Sequence, residues 1–123
     1  MSNTLNKKPL RIAIAGLGAI GKAIAVTLAK GSVPGVVLTA VSAKNHEKAQ
    51  QFVSTLGVPV KVLNLSQLEP EADLVIECAP AALLPDIATP FLKAQKQVIV
   101  LSVGALLFNQ GLIDLAKQEG GII

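Results

Sequence analysis

The sequence predicts a single α/β domain built on a doubly wound parallel sheet. Three observations carry that expectation. Short apolar runs alternate with stretches of helical character from Leu10 onward. These runs are apolar throughout instead of alternating with polar residues, the pattern of strands buried on both faces. A glycine-rich turn directly follows the first of them. Strands and helices in alternation build crossover units that place helices on both faces of a parallel sheet.

The elements follow in order. Residues 1–9 are a polar leader, expected to be flexible. Leu10–Ala15 is the first strand, running into glycines. Residues 18–30, rich in alanine, read as a helix closed by Gly31. Val36–Ser42 is β-branched and apolar, a second buried strand. Asn45 is a suitable N-cap for a helix to about residue 56, with Gly57 stopping it. Residues 60–63 form a brief third strand and residues 69–72 a polar connection. Leu74–Glu77 is the fourth strand, ended sharply by Cys78-Ala79-Pro80. A helix over residues 82–93 accommodates Pro85 in its first turn, whereas Pro90 should kink or split it. Residues 97–101 are the most strand-like run of the chain. A last helix over residues 109–119 ends at Gly120-Gly121, and Ile122-Ile123 read as the opening of a sixth strand that is truncated there.

Composition narrows the function classes. A chain of 123 residues has the length of one domain. It is 51% hydrophobic and 15% charged, which excludes intrinsic disorder and allows folding without disulfides or metal. The aromatic residues are Phe52, Phe91 and Phe108, and the formal charge of +3 is spread over 11 scattered lysines and arginines. Bases find no stacking platform and no basic patch, so a nucleic-acid partner is not expected. One cysteine, Cys78, and one histidine, His46, exclude an internal disulfide and a His/Cys metal cluster, and fit a reducing cytoplasm. Residues 12–29 form the one membrane-like stretch. Lys22 and regularly spaced glycines interrupt it, which argues against both a signal peptide and a membrane span.

The turn itself reads Gly16-Leu17-Gly18-Ala19-Ile20-Gly21. This G-x-G-x-x-G lies directly after a strand and at the mouth of a helix, the context of a Rossmann-type dinucleotide fold. Gly16 permits the tight turn, Gly18 lets the backbone approach a pyrophosphate, and Gly21 lets the helix lie close to the strand. The phosphates are expected at the helix N-terminus, on N–H groups without helical partners. A glycine-rich turn with no ligand is the plainer alternative.

The second strand ends in Ser42-Ala43-Lys44. An NAD-specific site places an acid here to bind the ribose hydroxyls. None is present, and a hydroxyl and a cation suit a 2′-phosphate, so NADP is tolerated or preferred over NAD. Lys44 as a solvated loop residue remains the alternative. His46 reads as part of the helix start, with contact to the adenosine end as the sharper option. Cys78 stands where ligands bind in such sheets. It reads as a small buried thiol shaping a wall beside a ribose, with Ala79 and Pro80, and not as a nucleophile. Glu77 reads as structural, and a charge among buried strand residues there requires a partner.

Together these residues resemble the N-terminal NAD(P)-binding domain of the L-aspartate dehydrogenase family, a group related to the NAD-binding domains of homoserine dehydrogenases. The matching pieces are residues 14–21, residues 75–80 and residues 100–106, and the last two are the specific ones. Sugar-type oxidoreductases and homoserine dehydrogenases resemble it less, because their Glu-Lys-Pro and Thr-Ala-Asn-Lys motifs are replaced by Ser102-Val103-Gly104-Ala105. The resemblance implies NAD or NADP as cofactor, with Gly16, Gly18, Ala19 and Ile20 at the pyrophosphate. It places Cys78, Ala79 and Pro80 along the ribose and Ser102, Val103 and Gly104 on the nicotinamide side. The implied activity is oxidative deamination of L-aspartate to iminoaspartate and then oxaloacetate, a reaction linked in some organisms to NAD biosynthesis. The family's substrate domain and catalytic histidine have no counterpart in this chain. Residues 10–123 are therefore expected to be a cofactor half, inactive alone, within a cytoplasmic parent that assembles as a homo-oligomer through the domain that follows. Two alternatives stand beside this reading: the cofactor domain of a homoserine- or sugar-type dehydrogenase, and a non-enzymatic nucleotide-sensing module.

Overall fold

A computed structural model describes residues 8–102 and 109–123. The elements are β1 (Leu10–Ala15), α1 (Ala19–Ala29), β2 (Val36–Ser42), α2 (His46–Val53), β3 (Lys61–Val62), β4 (Leu74–Glu77), α3 (Leu84–Lys93), β5 (Gln97–Val100) and α4 (Gln110–Glu119). The strands form one sheet in the order β3-β2-β1-β4-β5, every pairing parallel. Ile122 adds a parallel bridge to Gln97, in the place of a sixth strand. The doubly wound parallel sheet expected from the sequence is the observed fold.

Apolar residues at every strand position are explained by the two cores. Ala13, Ala15, Ala40, Val75 and Val98 face α3 and α4, where Leu84, Ile87, Phe91, Leu92, Leu112 and Ala116 are buried. The intervening positions Ile12, Ile14, Leu38, Val41, Leu74 and Ile76 face the opposite way, against Ala25, Leu28 and Val53 of α1 and α2. Each large side chain so buried contributes about 1.5–3 kcal/mol. A bulge between Ile12 and Ala13 skips Thr39 in the β1–β2 register. The Thr39 hydroxyl donates to the Glu71 carbonyl oxygen (2.8 Å), with the Ile12 carbonyl oxygen 3.3 Å away.

Several boundaries differ from expectation. The helix begun by Asn45, whose side chain accepts from Lys48 N at 3.0 Å, ends at Val53 and not near residue 56. β3 keeps two residues of the four expected, because only Ala40 and Val41 offer it a ladder. Residues 69–72 are more than a polar connection: 3-10 turns at Leu65–Gln67 and Glu69–Glu71 hold Leu68 and Ala72 in the core. Pro90 does not split α3, which runs unbroken from Leu84 to Lys93. Proline forfeits a single helical hydrogen bond, and five buried residues of α3 hold the helix to the sheet against that loss. α3 then closes with Lys96 N donating to Phe91 O (2.8 Å) and Gln95 N to Leu92 O (3.0 Å). Gln95 takes φ 62° at the position usually given to glycine in this type of cap. The membrane-like stretch is divided between β1 and α1, and no described helix is long and apolar enough to cross a membrane.

Candidate functional site

In this strand order the chain steps outward from β1 first toward β3 and then toward β5. Crevices in open α/β sheets lie at such a reversal, beyond the C-terminal strand ends. A cleft of about 660 Å³ lies there, lined by the turn after β1, the ends of β2 and β4, the start of α2, and Asn64 and Leu65.

Local chain geometry builds its floor. Gly16 adopts φ 106°, and a β-carbon on it would lie 2.6 Å from the Cys78 carbonyl oxygen. Its N–H donates to Ser42 O at 2.8 Å, while Cys78 N donates to Ala15 O at 2.8 Å, so the turn is tied to β2 on one side and β4 on the other. Gly21 is buried beneath the turn, and a β-carbon there would fall on the Gly16 carbonyl. Gly18, the N-cap of α1, has nothing within 4 Å of where its β-carbon would stand. It offers no side-chain cap, and the first turn of α1 holds no acid. The leading N–H groups of a helix have no partner within it, so an anion is the fitting occupant of the open space above Gly18.

The electrostatics agree. Lys22, Lys44, Lys48 and His46 line the cleft, and no aspartate or glutamate does. Lys22 Nζ lies 5.6 Å from the centre of the Phe52 ring, a cation–π contact that joins α1 to α2. Cys78 is half-buried in the opposite wall, its thiol pushed up to about 11 by burial first and by the Glu77 charge second. It stays protonated at neutral pH and is no nucleophile there.

Of the residues singled out from sequence, Gly16, Gly18, Ser42, Lys44, Cys78, Ala79 and Pro80 line the cleft together. Ala19 and Ile20 are exposed in the first turn of α1 and do not line the cleft, and Gly21 lies beneath the turn. Ser102 leaves the end of β5, where its hydroxyl donates to Glu77 Oε2 at 2.7 Å. Val103 and Gly104 lie outside the described residues. Lys22, Lys48, Asn64 and Leu83 line the cleft without having been singled out. A usable signal for Lys48 was its place in the first turn after the Asn45 cap, close behind the rim that Lys44 forms. Nothing local marked Asn64 or Leu83. Among the described residues no cluster of histidine, cysteine or acid side chains could hold a metal.

The cleft fits a dinucleotide by its own features: a turn with room for phosphate over Gly18, a basic rim at the end of β2, and an apolar wall at the end of β4. Comparison with known proteins bears on the same point. L-aspartate dehydrogenase 3 of Bordetella bronchiseptica is 51% identical over 118 residues, covering 96% of this chain and 43% of that protein. L-aspartate dehydrogenase of Bradyrhizobium diazoefficiens is 44% identical over 123 residues, covering 100% of this chain and 43% of that protein. The chain thus spans less than half the length of these curated relatives. The crystal structure of apo scyllo-inositol dehydrogenase from Lactobacillus casei shares the fold, with a TM-score of 0.75 at 20% identity, over 94% of this chain and 36% of that one. A family model described as "Homoserine dehydrogenase, NAD binding domain" matches residues 16–123. By that match the chain belongs to the family of homoserine dehydrogenase-type NAD-binding domains.

Proposed function

We propose that this chain is the cofactor half of an L-aspartate dehydrogenase, a cytoplasmic enzyme that oxidises L-aspartate to iminoaspartate. The observation that carries the reading is the 51% identity to an L-aspartate dehydrogenase over almost the whole chain, combined with a cleft whose glycine turn admits phosphate. NAD or NADP, when bound, supplies the hydride acceptor. The chain's own residues bind and orient it. Backbone N–H groups of Gly18, Ala19 and Ile20 take the pyrophosphate at the start of α1. Ser42 and Lys44, at the end of β2, face the adenosine ribose, and the absence of an acid in the lining leaves a 2′-phosphate unopposed. Cys78, Ala79 and Pro80 wall the other half of the cleft, and the resemblance assigns Ser102, Val103 and Gly104 to the nicotinamide.

Aspartate recognition and proton transfer belong, in this reading, to the part of the L-aspartate dehydrogenases that this chain does not span. The cleft's only imidazole, His46, stands at the β2 end, beside Lys44 and Lys48. In this reading the parent assembles as a homo-oligomer through that second half. The test is an assay of the full-length parent with L-aspartate and L-homoserine, each with NAD or NADP. Aspartate-dependent formation of reduced cofactor is expected. Turnover of homoserine without aspartate overturns the assignment.

A further inference from the structure

The described ion pairs, Arg11–Asp73, Lys61–Glu71 and Lys96–Glu69, leave out the most deeply buried acid of the chain. Glu77 is fully buried at the last position of β4. Its Oε1 accepts from the backbone N–H groups of Leu101 (3.0 Å) and Ser102 (2.9 Å), and its Oε2 from the Ser102 hydroxyl (2.7 Å). The β4–β5 ladder ends where Glu77 pairs with Val100. The Leu101 N–H also reaches the Glu77 carbonyl oxygen at 3.3 Å, so the Glu77 side chain reinforces the ladder at Leu101, extends it to Ser102 and holds β5's exit segment against β4.

Packing alone does not call for an acid here. The preceding residues of β4 are Leu74, Val75 and Ile76, all buried. Burying a carboxylate with no cation against it costs several kcal/mol unless its oxygens are satisfied. The donors that satisfy this one all lie on the segment leaving β5, and Glu77 itself directly precedes Cys78, which lines the cleft. The strand ends run in the order β2, β1, β4, β5. With phosphates over the turn after β1 and the lysine-bearing rim at β2, the remaining half of a dinucleotide extends over the ends of β4 and β5.

We propose that Glu77 is a positioning residue for the nicotinamide half of the bound dinucleotide, acting by fixing Leu101 and Ser102 against the end of β4, the strand that leads into the cleft wall at Cys78. The proposal rests on the dinucleotide reading given above. It is tested by titrating the 123-residue chain and the variants Glu77→Gln, Ser102→Ala and Ser102→Thr with NADPH and with adenosine 2′,5′-bisphosphate, which lacks the nicotinamide half.

Glu77→Gln is expected to weaken NADPH about tenfold, the equivalent of about 1.4 kcal/mol. Ser102→Ala weakens it less, Ser102→Thr restores it, and the bisphosphate fragment binds every variant within about twofold of the unaltered chain. Parallel weakening of both ligands would reveal a merely structural role and overturn the proposal, as would unchanged NADPH binding. Should Glu77→Gln not fold, Ser102→Ala keeps the carboxylate and both N–H donors and makes the same comparison. An unaltered chain that binds neither ligand refutes the dinucleotide reading and the proposal with it. A chain that binds both, with a ratio the variants do not move, refutes the positioning role alone.

Discussion

The carbonyl oxygen of Gly16 occupies the place that a β-carbon on Gly21 would take, whereas Gly18, between them, faces open space. The three glycines of one motif therefore answer to different constraints. Gly21 serves the packing of α1 against the turn, and Gly18 serves whatever enters the cleft.

That difference separates folding from binding. Gly21→Ala forces backbone against backbone and should destabilise the chain by about 2 kcal/mol or more. Gly18→Val should leave stability within about 0.5 kcal/mol while abolishing dinucleotide binding, because its side chain fills the pyrophosphate's approach. The unaltered chain should bind with about −4 to −6 kcal/mol, in the high-micromolar to millimolar range. Thermal unfolding paired with ligand-detected NMR reads both effects, and absence of binding at millimolar cofactor would refute the cradle.

NADP should bind no worse than NAD. Lys44 and Lys48 both line the cleft, and no carboxylate lines it to repel a 2′-phosphate. Lys44→Ala should weaken NADP more than NAD by about 1 kcal/mol, the scale of a partly exposed charge pair. Calorimetric titration of both cofactors checks this. A tenfold preference of the unaltered chain for NAD would reduce Lys44 to a surface residue.

The isolated chain should show no aspartate oxidation at saturating cofactor, including at alkaline pH. A positioned base and partners for the substrate carboxylates are required beside the reacting carbon. His46 lies at the β2 end of the cleft, and Cys78 opposite it is protonated. Turnover proportional to chain concentration and lost in Gly18→Val would contradict this expectation.

Cys78 should react slowly with iodoacetamide near neutral pH and faster as the pH rises toward about 11, since burial and the Glu77 charge disfavour its thiolate. Because Cys78 lines the cleft, saturating NADPH should slow the reaction further. Mass spectrometry of the alkylated chain across pH, with and without NADPH, measures both. Fast labelling at neutral pH would contradict the protonated state, and labelling indifferent to NADPH would place the ligand elsewhere.

At the opposite end of the sheet, Arg11 Nη2 and Nε donate to Asp73 at 3.0 and 3.3 Å. This hydrogen bonding holds the Asp73 carboxyl below its usual range. A carboxyl lowered in the folded state adds stability above its unfolded pKa of about 3.9 and loses it as the pH falls through the folded value. With 36% of the Asp73 side chain exposed, the contribution stays below about 1 kcal/mol. Asp73→Asn should flatten that part of the acid limb in urea unfolding and leave the slope above about pH 5 unchanged.

Much of this protein was decided locally and was therefore legible in residue order. The boundaries of β1, β2 and β4 follow from apolar runs stopped by glycine, serine or proline. Asn45 caps α2 and Gly120 closes α4, because capping depends on neighbours a few residues away. The glycine turn was legible for the same reason, and so was the seating of Gly16, Gly18, Ser42, Lys44 and Cys78 around one cleft, since parallel strands deliver their C-terminal ends to one edge.

Tertiary structure decided the remainder, where the partner lies far along the chain. α3 stays whole through Pro90 because the sheet holds its buried face, a force that local propensity does not contain. β3 is short because β2 offers it two residues. Leu68 is buried because a turn from between β3 and β4 folds under α3. Sequence alone required that a charged Glu77 find a partner; it could not name Ser102, 25 residues away. The strand order brings those two together, and hydrogen bonds form between whatever groups the packed strands place within reach.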